Sequence, residues 1–413
     1  MKRVLVIFLS VLTITVFPQP LRKHPPAENR ILTDHKIIRS DSSVVLVYSF
    51  ALRNDMLVFT KENGAYKAEY KIEVELVSEI NSQIERFNYY DIMKVSSYSE
   101  TISEAYREGL IKIPLKMNRF GAKPLFTDIY SHNEIKLPEF RYNTDSTKNV
   151  FFLIKDGNNG NMKGEWDYLN RGRYIPFTSK PVHLIIPDNK ATKGPFTAYA
   201  FSRNDTSTLQ LEEFYDEGID IDSTSNGLRL KAYKSIGSHI LLVKSINEKL
   251  PEGECTIRIS SGQDTNFFRS QFRVFWFNKP QTLMNPEFAS KLIIIMDTED
   301  KADSIKRAVD EDDAGALFQY WKKYDPTPIT VFNELMAEFY FRADEANNRY
   351  STIRGNDGVL TDRGKIFVKY GEPTKIDRGS SPIGKMSEIW YYASINKSFR
   401  FVDRTGAGNY ELQ

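Results

Sequence analysis

The sequence predicts a multidomain, mainly β protein. It reads as two β-sandwich domains of immunoglobulin-like type, followed by a small α+β C-terminal domain of helices packed on an antiparallel sheet. Three observations predict this. From Tyr66 to Leu76 apolar side chains alternate with Lys and Glu, the period that sends successive residues to opposite faces of a strand. From Val150 to Phe277 short apolar runs recur between Gly, Asn and Asp, as in a sandwich. After Asn278-Lys-Pro280 the apolar period changes from two to 3.6, the helical value.

Composition bounds the function. A chain of 413 residues holds two to four domains at roughly 100–200 residues each. With 41% hydrophobic and 27% charged residues, each domain can bury a core. Lys and Arg total 56 against 54 Asp and Glu, so no nucleic-acid partner is expected, because phosphate binding needs a concentrated basic surface. The 22 Tyr and 27 Phe favour strands. The single cysteine, Cys255, excludes an intrachain disulfide. It lies in the alternating stretch Cys255–Ser260 and reads as a small buried hydrophobe, not a nucleophile. Five scattered histidines show no metal-ligand spacing, and no metal or cofactor is expected.

The N-terminus sets the expected compartment. Met1-Lys2-Arg3 is positive and Val4–Phe17 carries no charge. As a helix that run spans about 21 Å, short of the ~30 Å hydrocarbon core. Residues 1–18 therefore read as a secretory signal. The sequence Phe17-Pro18-Gln19-Pro20 makes a poor cleavage site, which leaves an uncleaved N-terminal anchor as the alternative. The expected location is outside the cytoplasm: periplasmic, outer-membrane-associated or secreted, with membrane contact through this segment only. Pro18, Pro20, Pro25 and Pro26 make residues 19–40 a tether.

The first sandwich is expected over residues 41–145. Its strands are Val44–Phe50, Met56–Lys61, Tyr66–Leu76, Ile111–Leu115 and Leu125–Ser131, with a hairpin turn at Asn63-Gly64. The polar run 141–149 marks a boundary. The second sandwich, residues 146–279, takes strands at 150–154, 182–186, 197–202, 228–233, 239–244, 255–260 and 271–277. Between them Asp216–Asp222 reads as an acidic solvated loop, with calcium as the sharper alternative. In the third domain, residues 280–413, Asn285 caps a helix opened by Pro286. Further helices run from Thr298 to Asp310 and from Glu311 to Tyr324. Thr327 is expected to cap a long helix whose apolar stripe is Phe332, Leu335, Met336, Phe339, Tyr340 and Ala343. Strands are expected at 364–370, 388–393, 398–403 and 409–412.

The C-terminal stretch carries recognisable motifs. These are Tyr320–Pro328, Asn333-Glu334, Ala346-Asn-Asn-Arg-Tyr350, Gly358-Val-Leu-Thr-Asp-Arg-Gly364 and Ile366-Phe-Val-Lys-Tyr-Gly-Glu-Pro373. Together, over roughly residues 285–413, they resemble the GWxTD domain, which occurs at the C-terminus of exported bacterial proteins and has no assigned activity. The motif's Trp is Val359 here. The resemblance implies a layout and no reaction.

Candidate site residues follow from those motifs. Thr361, Asp362, Arg363 and Gly364 have a bland reading: Asp362 accepts backbone N–H groups in a turn, Gly364 takes a positive φ, and Arg349 or Arg363 pairs with Asp362. The sharper reading makes Asp362 and Glu334 a catalytic pair of carboxylates. Glu334 and Glu338, at i and i+4 on the long helix, read as its solvated face, with a metal-ligating or hydrolytic pair as the sharper alternative. Trp390 is a candidate sugar platform, with core packing as the alternative. The function expected is that of an exported cell-envelope structural or protein-interaction protein whose partner is an envelope protein or surface polymer. A carbohydrate-binding module is the first alternative, and a carboxylate-dependent hydrolase is the second.

Overall fold

The computed structural model describes residues 31–40, 43–144, 150–155, 164–188, 192–203, 205–224, 227–262, 264–311, 313, 315–351, 357–380 and 385–413. The expected signal segment and the Pro-rich stretch lie outside them. The chain forms two compact units, one of Met1–His35 and Leu46–Thr144, the other of Lys36–Val45 and Asp145–Gln413.

Among the described residues the first unit is β apart from short turns. It holds residues 31–35 of β1 (Ile31–Ser40) and 46–53 of β2 (Ser43–Arg53), together with β3 (Thr60–Glu62), β4 (Ala65–Ser78), β5 (Ile84–Val95), β6 (Tyr106–Pro114), β7 (Arg119–Asp128), β8 (Glu134–Lys136) and β9 (Phe140–Asn143), with a single helical turn α1 (Tyr98–Thr101) after β5. The expected tether is corrected at its end: residues 31–40 form β1. All four prolines precede residue 27, and from Ile31 the chain offers Ile31, Leu32 and Ile37, each buried.

β4 holds the unit together. Its alternation does what the sequence pattern requires: Ala68, Tyr70, Ile72, Val74 and Leu76 are buried, and the Lys and Glu residues between them are not. β5 and β7 pair with it on either side, while β3 meets it through the turn Asn63-Gly64. Both turn residues have positive φ, 49° and 84°, the type I′ geometry whose twist matches the strands. A second sheet, in the order β1-β2-β6, meets this one through aromatic edges. The Phe50 ring of β2 lies 6.2 Å from Tyr70 and 5.3 Å from Tyr89.

The second unit contains β10 (Phe152–Lys155), β11 (Glu165–Tyr168), β12 (Tyr174–Pro176), β13 (Val182–Asp188), β14 (Phe196–Ser202), β15 (Asp205–Thr224), β16 (Gly227–Lys244), β17 (Gly253–Ser261) and β18 (Asp264–Phe275). They form a nine-stranded sheet in the order β11-β10-β13-β16-β15-β14-β17-β18-β12. The expected acidic loop is corrected here: Asp216–Asp222 lies within β15, paired with β16. The register shifts between Tyr215 and Glu217, where Asp216 takes a φ of 56°, so the acids sit on a bulged strand. Likewise the two strands expected at 228–233 and 239–244 are one continuous strand, β16.

The helices follow: α2 (Pro286–Lys291), α3 (Glu299–Asp310), α4 (Gly315–Lys322), α5 (Glu334–Tyr350) and α6 (Asp362–Tyr370). Asn285 caps α2 through Phe288 N–H, with Pro286 at its first position. The cap of α5 is Asn333, whose side chain accepts from Met336 N–H. Thr327 is not the cap; its N–H goes to Asp325 and its hydroxyl to Glu334. Along the expected stripe Met336, Phe339, Tyr340 and Ala343 are buried, while Leu335 is exposed. Residues 364–370, expected as a strand, belong to α6. Phe367 and Val368 are its buried residues, so one apolar run served a helix face as well as it would have served a strand. The chain ends in an antiparallel sheet, β19 (Lys375–Ser380), β20 (Met386–Tyr392), β21 (Lys397–Asp403) and β22 (Tyr410–Leu412). One buried cluster runs through the whole unit from Phe151 to Phe401.

Candidate functional site

Residues 358–364 join α5, α6 and β22. Gly358 opens a short 3-10 turn that ends at Leu360. A Cβ at Gly358 would lie 2.2 Å from the Ala346 carbonyl oxygen and 2.6 Å from Ser351 N. No side chain fits there, because backbone cannot give way as a flexible side chain can. Val359 is fully buried, and its N–H donates to Asn347 Oδ1 at 3.0 Å. Leu360 points to solvent. Thr361 caps α6: its hydroxyl accepts from Gly364 N–H at 3.1 Å and donates to Gly358 O at 2.7 Å.

Asp362 accepts the N–H of Leu412 at 2.8 Å, which ties α6 to β22. Neither expected arginine pairing with Asp362 is present. Arg363 instead lies 4.0 Å over the Tyr410 ring and 5.2 Å over Tyr350, and stands 3.5 Å from Glu388. Arg349 pairs with Glu345 at 2.5 Å and Glu372 at 2.6 Å. Gly364 is helical and has no positive φ. Its role is steric, since a Cβ there would sit 1.9 Å from Gly358 O.

Trp390 is 1% exposed. Its indole N–H donates to Glu388 at 3.0 Å, and its ring meets Tyr350 and Phe401. It is a core residue and presents no platform for a sugar. Its neighbour Tyr391 faces outward on the same strand.

The two candidate carboxylates are far apart. Glu334 begins α5 and accepts the Thr327 hydroxyl at 2.5 Å. Asp362 sits beyond the other end of that helix, where Gly358 abuts Ala346. Seventeen residues of α-helix span about 25 Å, well outside the ~5–10 Å of a glycosidase pair. Asp362 lines a surface pocket of about 440 Å³ with Asp357, Leu360, Thr361, Asn409, Tyr410 and Glu411. Glu334 does not line it. Among the described residues no group of three or more His, Cys, Asp or Glu side chains could hold a metal ion.

Sequence reading missed Glu388 and Asp403. Glu388 is buried and binds Arg363, Arg378 and Trp390. No local pattern marks it, because its partners come from α6, β19 and its own strand. Asp403 accepts N–H bonds from Thr405, Gly406 and Gly408 and so shapes the loop into β22. The signal was present in Asp403-x-Thr-Gly-x-Gly408, an Asx-type turn. Burial pushes the Asp403 carboxyl up, but those N–H bonds outweigh it and hold its pKa below the usual value.

The GWxTD domain family model matches residues 262–413. The chain carries a GWxTD domain. The domain's defining letters stand here as Gly358-Val-Leu-Thr-Asp362, and the geometry gives each fixed letter a contact within the fold: the glycine for close approach, the aromatic position for core filling, Thr361 for the cap and Asp362 for the tie to β22. No curated protein matches the chain. Among solved structures, the C-terminal domain of the Streptococcus pyogenes antigen I/II-family protein AspA covers 59% of this chain and 99% of its own, at 7% identity and a TM-score of 0.18. That superposition is too poor to support a shared fold.

Proposed function

We propose that the protein is an exported structural or interaction component of a bacterial cell envelope, with immunoglobulin-like sheet packing in its β units and no catalytic use of the GWxTD motif. One observation carries the reading: Gly358, Val359, Thr361 and Asp362 each make a contact that the fold itself needs. A motif used this way is a folding clasp, and the surface for partners is then provided by the sheets. The uncharged run Val4–Phe17 behind Lys2 and Arg3 supports export. An envelope protein or surface polymer is the partner class that fits this location. The carbohydrate alternative loses its Trp390 face, and the hydrolase alternative loses its pairing of Glu334 with Asp362.

Fractionation of bacteria expressing the full chain tests the proposal. The chain is expected in the envelope or medium. Recovery of the untrimmed chain from cytosol sinks it, as does a hydrolytic activity abolished by Asp362→Asn with folding unchanged.

A further inference from the structure

Strand β5 pairs with β4 without interruption from Tyr66↔Val95 to Val77↔Ile84, and among the described residues no strand pairs with its other edge. Twelve residues long, it has no proline and no register shift. Edge strands are usually short, bulged or broken, because an open edge is a template for another strand.

The direction of the backbone groups follows from the hairpin. Ser78 N–H donates to Gln83 O at 2.8 Å, so Gln83 and every second residue after it bond toward β4. The N–H and C=O groups of Ile84, Arg86, Asn88, Tyr90, Ile92 and Lys94 therefore face the open edge. The Ile92 N–H is consistent with this, since it takes a side-chain acceptor, Asp91 Oδ1, at 2.8 Å. The same six side chains share the solvent face of the strand, where Ile84, Tyr90 and Ile92 are 51%, 66% and 48% exposed.

We propose that a second copy of this chain pairs with β5, antiparallel and about a two-fold axis through Asn88. This rests on the interaction-protein reading above and names one partner. The argument is self-complementarity. With the axis at Asn88, Ile84 lies opposite Ile92 of the second copy and Arg86 opposite Tyr90. Ile84 and Ile92 then cover one another, and the Arg86 guanidinium, held by Glu75 of β4 at 2.8 Å, lies beside the Tyr90 ring of the second copy. Moving the axis to Tyr89 keeps the backbone bonds but sets Ile84 opposite Lys94 and Arg86 opposite Ile92. On the inner face the Asn88 register places Phe87 opposite Tyr89, and Glu85 opposite Asp91. That like-charge pair is tempered by Arg107, 3.5 Å from Asp91.

Sedimentation of the full chain across a concentration series is the test. The natural chain is expected to dimerise. Asn88→Pro removes an edge-facing N–H and leaves the bonds to β4 in place, so it should lose the dimer and keep its melting curve. Asn88→Cys should form a disulfide-linked dimer under mild oxidant, because hydrogen-bonded partners stand ~5.5 Å apart at Cα. Lys94→Cys, remote from its own mate, should not, and Cys255 is buried. A chain monomeric at every concentration overturns the inference, as does a dimer that survives Asn88→Pro. If Asn88→Pro does not fold, the cross-link decides: equal yields from Asn88→Cys and Lys94→Cys overturn it. A monomer found in the envelope sinks this inference alone, whereas a dimer found in cytosol sinks the export reading alone.

Discussion

At Gly358 one hydrogen atom is all that the space beside α5 admits. Ala there would force backbone apart, at a cost of about 1–3 kcal/mol or more. Thr361→Ala, which removes a cap and no packing, should cost about 1 kcal/mol. Urea unfolding of the two variants should therefore rank Gly358→Ala as the worse, and the reverse order would mean that the turn does not press on α5 as described. Asp362→Ala should cost roughly 0.5–1.5 kcal/mol and speed amide exchange at Leu412 ahead of global unfolding. Cys255 belongs to the same scale. Burial, and secondarily Glu254, push its thiol up to about 12, so a thiol reagent should label it only after unfolding.

At the scale of elements, the sequence was legible wherever one period dominated. The strict alternation of β4 and the capping pair Asn285-Pro286 needed only local chemistry. Three features were not local. Residues 364–370 hold the short apolar run Ile366-Phe-Val368, which suits a buried strand, and become a helix in which Thr361 is the cap and Phe367 and Val368 are buried. Asp216–Asp222 reads as a loop by composition, yet β16 pairs with it across a bulge. The pairing of Arg363 with Glu388 joins residues far apart in sequence, so the choice of Arg363's partner could not be read from its neighbours.

Element joints also carry the pH dependence. Asp297 accepts the Thr298 N–H, the Lys323 ammonium and the Tyr320 hydroxyl; the first two do most to lower its pKa, burial opposes them, and Tyr320 adds the least. It binds α4 to the start of α3, as Asp403 binds the loop before β22. A carboxyl with a lowered folded pKa stabilises fully above its unfolded value, near pH ~3.9. That stability disappears as pH falls through the folded value. The urea midpoint should accordingly decline below about pH 4, and Asp403→Asn or Asp297→Asn should flatten the decline. An unchanged slope in both variants would show that neither carboxylate is linked to folding.

For the molecule as a whole, the change of period near residue 280 suggests a place to cut, but the side chains cross it. Phe332, ahead of α5, packs 5.2 Å from Phe177 and 5.3 Å from Trp276. The Val331 N–H donates to Glu248 O at 3.1 Å, and Lys249 reaches Ile329 O at 3.2 Å. Asn247, on the same turn, holds Val182 N–H and the carbonyls of Thr178 and Lys180. A fragment of residues 280–413 would keep Phe332 and lose both rings that cover it, exposing apolar area at about 25 cal/mol per Å². It should therefore melt without a sharp transition and bind a hydrophobic dye. Residues 145–413, which retain the shared cluster, should keep a sharp transition and bind no such dye. Calorimetry of the two fragments checks this. A sharp, two-state transition for 280–413 would mean that the helices and final sheet form a self-sufficient core, and that their contacts with the nine-stranded sheet add little to folding.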